Sequence, residues 1–222
     1  MSIAVITDRP LPGVRVLLGA FCFALLAMLA PAEAKQTPAQ WVEAFWPTAK
    51  EGGVQRSVYD RALRGFQPDP DVIKRAGAQA EFNMAIWHYM DQMVSDERLR
   101  EGAAAIRQHG DLLARIEARY GVDRFTLLAI WGMESHYGAV LGNPRLVKHT
   151  INALATLAYS GGRLAKFGRT QLVAALRIVQ RGDVSVEAMV GSWAGAMGQT
   201  QFIPTTFEAY AVDFDGGGHR NI

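Results

Sequence analysis

Residues 123–138 read DRFTLLAIWGMESHYG, the pattern of a helix with an apolar face. Asp123 is a residue type that caps helix N-termini, so a helix is predicted over residues 124–138. Three apolar residues recur at the spacing of one helix face: Leu127, Ile130 and Trp131. Glu134 continues this face, three and four residues after Trp131 and Ile130. The segment therefore predicts a carboxylate on the apolar side of a helix.

A carboxylate at this place has two interpretations. If Glu134 faces the core or a cleft, burial would disfavour its charged form, and such a carboxyl group suits general acid catalysis near neutral pH. If the helix simply ends near Gly138, Glu134 points to solvent and has no special role.

The neighbours of Glu134 suit the lining of a cleft. Gly132 allows close backbone packing beside the apolar face. Ser135, His136 and Tyr137 are polar or aromatic groups that fit a sugar-binding cleft. The sequence contains no HExxH spacing, so a structural or solvent-facing His136 is preferred over a metal ligand or a nucleophile.

Helical patterns continue along the rest of the chain, and strand signals are few. Further helices are predicted over residues 40–45, 54–63, 80–93, 97–120, 151–158, 168–180 and 185–190. Residues 67–70 read QPDP and should interrupt helix, because proline disfavours helix in the residue before it. Gly121 is a predicted helix C-cap. The fold class expected is mainly α, with one domain.

A second unusual segment, residues 191–207, is rich in glycine and carries two glutamines. Glycines let backbone groups approach a ligand closely. Gln199 and Gln201 each donate and accept hydrogen bonds, which suits sugar hydroxyl and acetamido groups. A tight structural turn before a helix that starts near Pro204 is the alternative. Neither a GxGxxG nor a Walker pattern fits, so a nucleotide loop is not expected.

Composition excludes several classes of protein. The 222 residues are 50% hydrophobic and 20% charged, which is unlike a disordered or collagen-like chain. The net charge is +2 with no basic stripe, so nucleic acid is not an expected partner. Cys22 is the one cysteine, so the chain has no intrachain disulfide and no cysteine-based zinc site.

The N-terminus has the layout of a secretory signal peptide. Basic Arg9 and Arg15 precede an uncharged, mostly apolar run of 15 residues, 16–30, and small residues follow up to Ala34. Cleavage after Ala34 is predicted, which makes residues 1–34 a signal peptide and places the protein in the periplasm. A membrane-spanning anchor is the alternative, but the run is short for one. Phe21 before Cys22 argues against a lipoprotein.

Four blocks of this sequence resemble the lytic murein transglycosylase B family, in the family's order. They are AIWGMESHYG at 129–138, INALATLAY at 151–159, GSWAGAMGQTQFIPTT at 191–206 and YAVDFDG at 210–216. The resemblance implies a lysozyme-like, mainly α transglycosylase domain over residues 35–222. It also implies cleavage of the β-1,4 bond between N-acetylmuramic acid and N-acetylglucosamine, with formation of a 1,6-anhydro ring and with no cofactor or metal.

The resemblance also assigns site residues. Glu134 matches the family's catalytic acid, which then acts as the base, and it is the sole acidic residue in the segments expected to line the cleft. Ser192 and Gln201 match residues near the acid and the bound sugars. Tyr89 falls where the family has a cleft aromatic, with core packing as the alternative. Arg163 falls where the family contacts glycan or peptide, although the family's second arginine is replaced by Leu164.

Other expectations concern completeness and partners. Residues 213–218 resemble the start of a calcium loop, but Gly217 offers no side-chain oxygen, so a glycine-rich turn is preferred. The family continues beyond this motif, so a domain truncated after residue 222 is expected.

Peptidoglycan glycan strands are the expected partner of a monomer, with peripheral membrane association left open. A non-catalytic peptidoglycan-binding or scaffold protein and a lysozyme-type hydrolase are the alternative functions.

Overall fold

Helices make up most of the described chain, residues 36–78 and 85–222 of this computed structural model. In chain order they are α1 Pro38–Glu51, α2 Arg56–Ala62, α3 Pro70–Gly77, α4 Ile86–Met93, α5 Asp96–Tyr120, α6 Arg124–Ser135, α7 Thr150–Ser160, α8 Ala165–Arg181 and α9 Pro204–Tyr210. A short 3₁₀ turn covers Ala139–Gly142. The predicted mainly α fold class is confirmed. The predicted signal peptide and the beginning of the helix predicted over 80–93 lie outside the described residues.

The strands are very short. β1 Lys148–His149 and β2 Val190–Gly191 pair antiparallel, with Lys148 opposite Gly191 and His149 opposite Val190. This ladder ties the start of α7 to the glycine-rich segment after β2. None of the described helices combines the length and the hydropathy needed to cross a membrane.

Capping side chains explain where several helices begin. Thr37 and Gln40 exchange backbone and side-chain hydrogen bonds at the start of α1. The Asp123 carboxylate accepts from the amides of Phe125 at 3.0 Å and Thr126 at 2.9 Å, which starts α6 as predicted. Gly121 ends α5 with a φ of 70°, so the predicted C-cap is confirmed.

The main core lies around α7 and α8. Both helices bury most of their side chains, and α1, α2, α3 and α9 pack on them. The largest fully buried apolar side chains are Tyr59, Ile151, Leu154, Leu157, Leu172, Leu176, Ile178, Met189 and Met197. The buried Tyr59 hydroxyl donates to the carbonyl of Val42 at 2.5 Å, so its polar atom has a partner.

A second, smaller apolar cluster holds α5 and α6 together. Its buried members are Ala105, Leu113 and Leu128, and Ile106, Leu127, Trp131 and Tyr137 pack around them. These two helices therefore form an antiparallel hairpin with its own core.

One prediction about local structure is wrong, and one helix was not predicted. Residues 185–190 do not form a helix, because Val190 pairs with His149 and the carbonyl of Met189 accepts from the amide of Thr150 at 2.9 Å. The QPDP segment does interrupt helix, but it also starts the unpredicted helix α3. Asp69 caps this helix by accepting from the amides of Asp71 and Val72, and Pro70 occupies its first position.

Ion pairs attach the last residues to the core. Arg220 binds the buried Asp183 carboxylate, with Nη2 at 2.5 Å from Oδ2. Burial opposes ionisation of Asp183, but the hydrogen bonds from Arg220 outweigh it and lower the pKa of this carboxyl group. Glu208 on α9 similarly binds Arg177 and Arg181 of α8.

Candidate active site

Glu134 lies in the last turn of α6, and its side chain is exposed. This exposure excludes the core as its location, so that of the interpretations given above a cleft or open solvent remains. The face on which it lies is accessible as a whole near this end, since Ile130 is 47% and Met133 52% exposed. No hydrogen bond or ion pair to the Glu134 carboxylate occurs among the described residues, so the group is free to meet a ligand.

Two neighbours of Glu134 have structural roles: Ser135 is buried, contrary to the predicted cleft-lining role, whereas Tyr137 packs within the hairpin and also lines the more polar cavity described below. Ser135 is buried, and its hydroxyl accepts from the amide of Gly138 at 3.0 Å at the end of α6. The ring of Tyr137 packs against Gly102 of α5 and Gly132 of α6, and its hydroxyl donates to the carbonyl of Arg98 at 3.2 Å. The predicted close packing at Gly132 is confirmed, with Tyr137 as the group that fills the space.

His136 joins the end of α6 to α5. Its Nε2 lies 2.5 Å from Oε2 of Glu101, and its backbone is left-handed with a φ of 54°. The structural interpretation of His136 therefore agrees with its contacts. Glu101 is thereby engaged within the hairpin.

The glycine-rich loop, residues 191–202, folds back on itself after β2. Met197 bridges to both Gly191 and Phe202, and a Cβ at Gly191 would lie 1.9 Å from the carbonyl oxygen of Ala196. Only glycine fits at that position, because the two backbone segments are in contact. The loop thus brings its predicted ligand residues into one place.

The two predicted loop residues keep part of their hydrogen-bonding capacity. The Ser192 hydroxyl accepts from the amides of Ala194 at 3.3 Å and Ala196 at 3.1 Å, so its own proton remains to be donated. Gln201 donates its amide nitrogen to the carbonyl of Gly198 at 2.9 Å, and its side-chain oxygen remains an acceptor. Both arrangements suit a ligand that carries hydroxyl and amide groups.

One hydrogen bond connects the loop directly with the helix of Glu134. The indole Nε1 of Trp131 donates to Oε1 of Gln199 at 2.7 Å, across 68 residues of sequence. Gln199 also lies against the backbone of Gly138. The sequence predicted Gln199 as a sugar ligand, whereas in the structure its side-chain oxygen accepts the hydrogen bond from the Trp131 indole.

Two cavities flank this contact. One, of about 530 Å³, is largely apolar and includes Leu112, Leu127 and Ile130 in its lining. The other, of about 430 Å³, is more polar and includes Glu101 and His136. His109, Trp131 and Gln199 line both, so the Trp131–Gln199 contact forms the ridge between them.

Tyr89 and Arg163 are both exposed. Tyr89 is on α4 and is 37% exposed, so its ring is accessible and not packed in the core. Arg163 is exposed in the turn between α7 and α8. Among the described residues, no hydrogen bond joins either side chain to α6 or to the glycine-rich loop.

The Asp213 segment is a hydrogen-bonded turn. Its carboxylate accepts from the amides of Gly216, Gly217 and Gly218 at 2.9–3.0 Å, and these bonds lower the pKa of Asp213. Within residues 36–78 and 85–222, no three His, Cys, Asp or Glu side chains are gathered for a metal ion. The turn has the form expected for the glycine-rich alternative.

Comparison with known proteins identifies the class. The chain belongs to the family described as the transglycosylase SLT domain, whose pattern matches residues 37–222. The resemblance carried by the four sequence blocks is thereby confirmed.

The relatives are bacterial lytic transglycosylases. The membrane-bound lytic murein transglycosylase B of Escherichia coli K12 is 33% identical over 140 residues, which cover 63% of this chain and 38% of that protein. SltB3 of Pseudomonas aeruginosa, solved in complex with NAG-anhNAM-pentapeptide, is 50% identical with a TM-score of 0.79, over 84% of this chain and 48% of that one. Slt35 of Escherichia coli, in complex with bulgecin A, is 28% identical with a TM-score of 0.71, over 86% and 59%.

The lysozyme-like transglycosylase fold expected from the sequence is therefore confirmed by solved structures. The chain spans less than two thirds of the length of each of these relatives.

Proposed function

We propose that this protein is a peptidoglycan lytic transglycosylase. It cleaves the β-1,4 bond between N-acetylmuramic acid and N-acetylglucosamine and leaves a 1,6-anhydro ring on the muramic acid. The observation that carries the proposal is the exposed carboxylate of Glu134, which has no hydrogen-bond or ion-pair partner within residues 36–78 and 85–222, in a transglycosylase-family chain. Its helix is held against the glycine-rich loop by the Trp131–Gln199 contact.

Glu134 acts first as an acid and then as a base. Its carboxyl proton goes to the glycosidic oxygen as the bond from that oxygen to C1 of the muramic acid breaks. The C6 hydroxyl oxygen of the same sugar then bonds to C1, and its proton returns to the Glu134 carboxylate. No water is consumed, and the enzyme ends in its starting protonation state.

The arrangement of acidic groups supports a mechanism with one carboxylate. Hydrolytic glycosidases use two carboxyl groups that flank the bond. Glu134 is in the lining of neither described cavity beside α6; the acidic residue in those linings is Glu101, whose Oε2 lies 2.5 Å from Nε2 of His136. The substrate's own C6 hydroxyl and acetamido groups can take over the work of a second carboxylate.

The complex of a relative supports the same chemistry. SltB3 was solved with NAG-anhNAM-pentapeptide, and the anhydro sugar in that ligand is what an attack by the C6 hydroxyl on C1 generates. SltB3 is 50% identical to this chain over 84% of this chain and 48% of SltB3.

Four further residues are proposed to bind substrate. Ser192 donates its free hydroxyl proton, and Gln201 offers its side-chain oxygen to a sugar. Tyr89 stacks on a sugar face with its accessible ring. Arg163 binds a carboxylate or a hydroxyl of the glycan or its peptide.

The protein is also proposed to act outside the cytoplasm. Residues 1–34 serve as a signal peptide cleaved after Ala34, and residues 35–222 belong to a catalytic domain that acts as a monomer in the periplasm. Peptidoglycan is located there, so an exported enzyme meets its substrate directly.

The product of the reaction tests the proposal. Purified protein is incubated with sacculi, and the released muropeptides are analysed by mass spectrometry. Fragments that end in 1,6-anhydro-muramic acid are expected. Reducing ends would indicate a lysozyme-type hydrolase, and binding to sacculi without released fragments would indicate a scaffold protein; either result contradicts the proposal.

Replacement of Glu134 by Gln tests the acid. The amide keeps the size of the side chain but has no acidic proton, so the rate of release should fall by about a thousandfold with the fold unchanged. Asp111→Asn, a matched carboxylate-to-amide change on the exposed side of α5, should keep full activity. Full activity of Glu134→Gln would refute the assignment.

A further inference from the structure

Gln199 contacts the segment that carries Glu134 at two places, one before and one after the catalytic residue in the sequence. Before Glu134 in the sequence, the Trp131 indole donates to Gln199 Oε1 at 2.7 Å. After it, the backbone of Gly138 approaches so closely that an added Cβ would lie 2.4 Å from the same oxygen. Trp131 and Glu134 are three residues apart and are neighbours on one helix face.

The Trp131–Gln199 contact matters because it is the one hydrogen bond between α6 and the glycine-rich loop in the part of the chain that the structure describes. α5 and α6 pack on each other in their own cluster, whereas Met197 of the glycine-rich loop belongs to the main core. Phe214 contacts Arg115, Arg119 and Tyr120, near the opposite end of α6. The Trp131–Gln199 hydrogen bond therefore links the helix of Glu134 to the loop that carries Ser192 and Gln201.

We infer that Gln199 is a positioning residue, which fixes the Glu134 carboxylate relative to the sugar-binding loop by holding the Trp131 indole. This inference rests on the proposed function and assigns Gln199 no bond to the substrate. Small displacements of a catalytic group cost large factors in rate, because the reacting atoms must be aligned. Loss of the contact should therefore lower kcat more than it changes KM.

Three variants separate positioning from sugar binding. Gln199→Leu keeps the volume but removes the acceptor, and it should lower kcat by about ten- to a hundredfold with KM within about twofold. Gln199→Glu keeps an oxygen acceptor for the indole, and it should recover most of kcat. Trp131→Phe removes the donor, and in combination with Gln199→Leu it should add little to the loss. Gln67→Leu, at an exposed glutamine between α2 and α3, serves as the control.

The contact also has a readout independent of catalysis. In the NMR spectrum, the indole N–H signal that disappears in Trp131→Phe should exchange slowly in the unchanged protein and in Gln199→Glu. It should shift and exchange faster in Gln199→Leu. Thermal unfolding of each variant identifies any that does not fold.

Two results would overturn the inference. One is an unchanged kcat with a KM raised tenfold in Gln199→Leu, which would make Gln199 a sugar ligand. The other is an indole signal unaffected by Gln199→Leu. If the unchanged protein released no anhydro products, the proposed function would fail instead, and the NMR result would still decide whether Gln199 holds Trp131.

Discussion

At the scale of single residues, Gly138 is the most constrained position near Glu134. Its φ is +86°, a left-handed conformation that side chains other than glycine adopt at a cost. Its Cα hydrogens also face the Gln199 amide. Gly142, four residues later, has an ordinary φ, and an added Cβ there would meet nothing within 4 Å.

Gly138→Ala should lower the free energy of unfolding by about 1–3 kcal/mol, because it adds backbone strain and pushes against Gln199. Gly142→Ala should be close to neutral. Urea unfolding followed by circular dichroism measures both changes. Equal midpoints for the two variants would contradict the role given to Gly138.

Sequence predicted the identity of the candidate acid but not its surroundings. Glu134 could be identified because helical spacing and a motif both mark it. The exposure of its side chain could not be predicted, because helical spacing shows which residues share a face but not which other elements cover that face. The burial of Ser135 was unpredictable for the same reason. The packing role of Tyr137 was missed because its partners Gly102 and Arg98 become neighbours only once the hairpin is formed.

At the scale of elements, the α5–α6 hairpin depends on a space left by two glycines. Gly102 and Gly132 face each other across the hairpin, and the Tyr137 ring fills the space between them. Gly110 lies in the same helix as Gly102, but a Cβ there would meet no atom within 4 Å.

Gly110→Ala should raise stability by about 1 kcal/mol, because alanine favours helix. Gly102→Ala gains the same propensity but places a Cβ 2.7 Å from the Tyr137 hydroxyl, so it should be about 1–3 kcal/mol less stable than Gly110→Ala. Thermal unfolding of both variants gives the difference. Indistinguishable melting temperatures would show that Tyr137 does not need the glycine.

The ends of helices could be predicted where a single residue type indicates a cap. Asp123 and Gly121 mark the junction of α5 and α6 correctly. The helix predicted over 185–190 failed because its backbone groups pair with β1, and that pairing depends on residues about 40 positions away. Helix α3 was missed because the QPDP motif was interpreted as a breaker, although Asp69 and Pro70 also start a helix.

At the scale of the whole molecule, stability should depend on pH through its partly buried carboxylates. Asp183 and Glu208 are both partly buried against arginines, and the interactions with these arginines outweigh burial and lower both pKa values. A lowered pKa in the folded state means that the unfolded chain takes up protons first as pH falls. Their contribution is present above about pH 4–5, the ordinary carboxyl range, and is lost below it.

Asp183→Asn should therefore lower the free energy of unfolding by about 1–3 kcal/mol at pH 7, because Arg220 loses a charged partner. The difference from the unchanged protein should shrink as pH falls to about 3. Urea unfolding over a pH series measures this, with Asp111→Asn as an exposed control. A difference that stays constant with pH would mean that the Asp183 charge is not involved.

The separation of the two apolar clusters has a consequence for folding kinetics. The α5–α6 cluster closes within residues 105–137, so its contacts cost little loop-closure entropy and should form early. The main core joins α1 and α2 to α8, and Arg177 binds the carbonyl of Gly52 from 125 residues away. During synthesis, α1 and α2 therefore cannot complete their core contacts until α8 has been synthesised. The hairpin that carries Glu134 can already have folded by then.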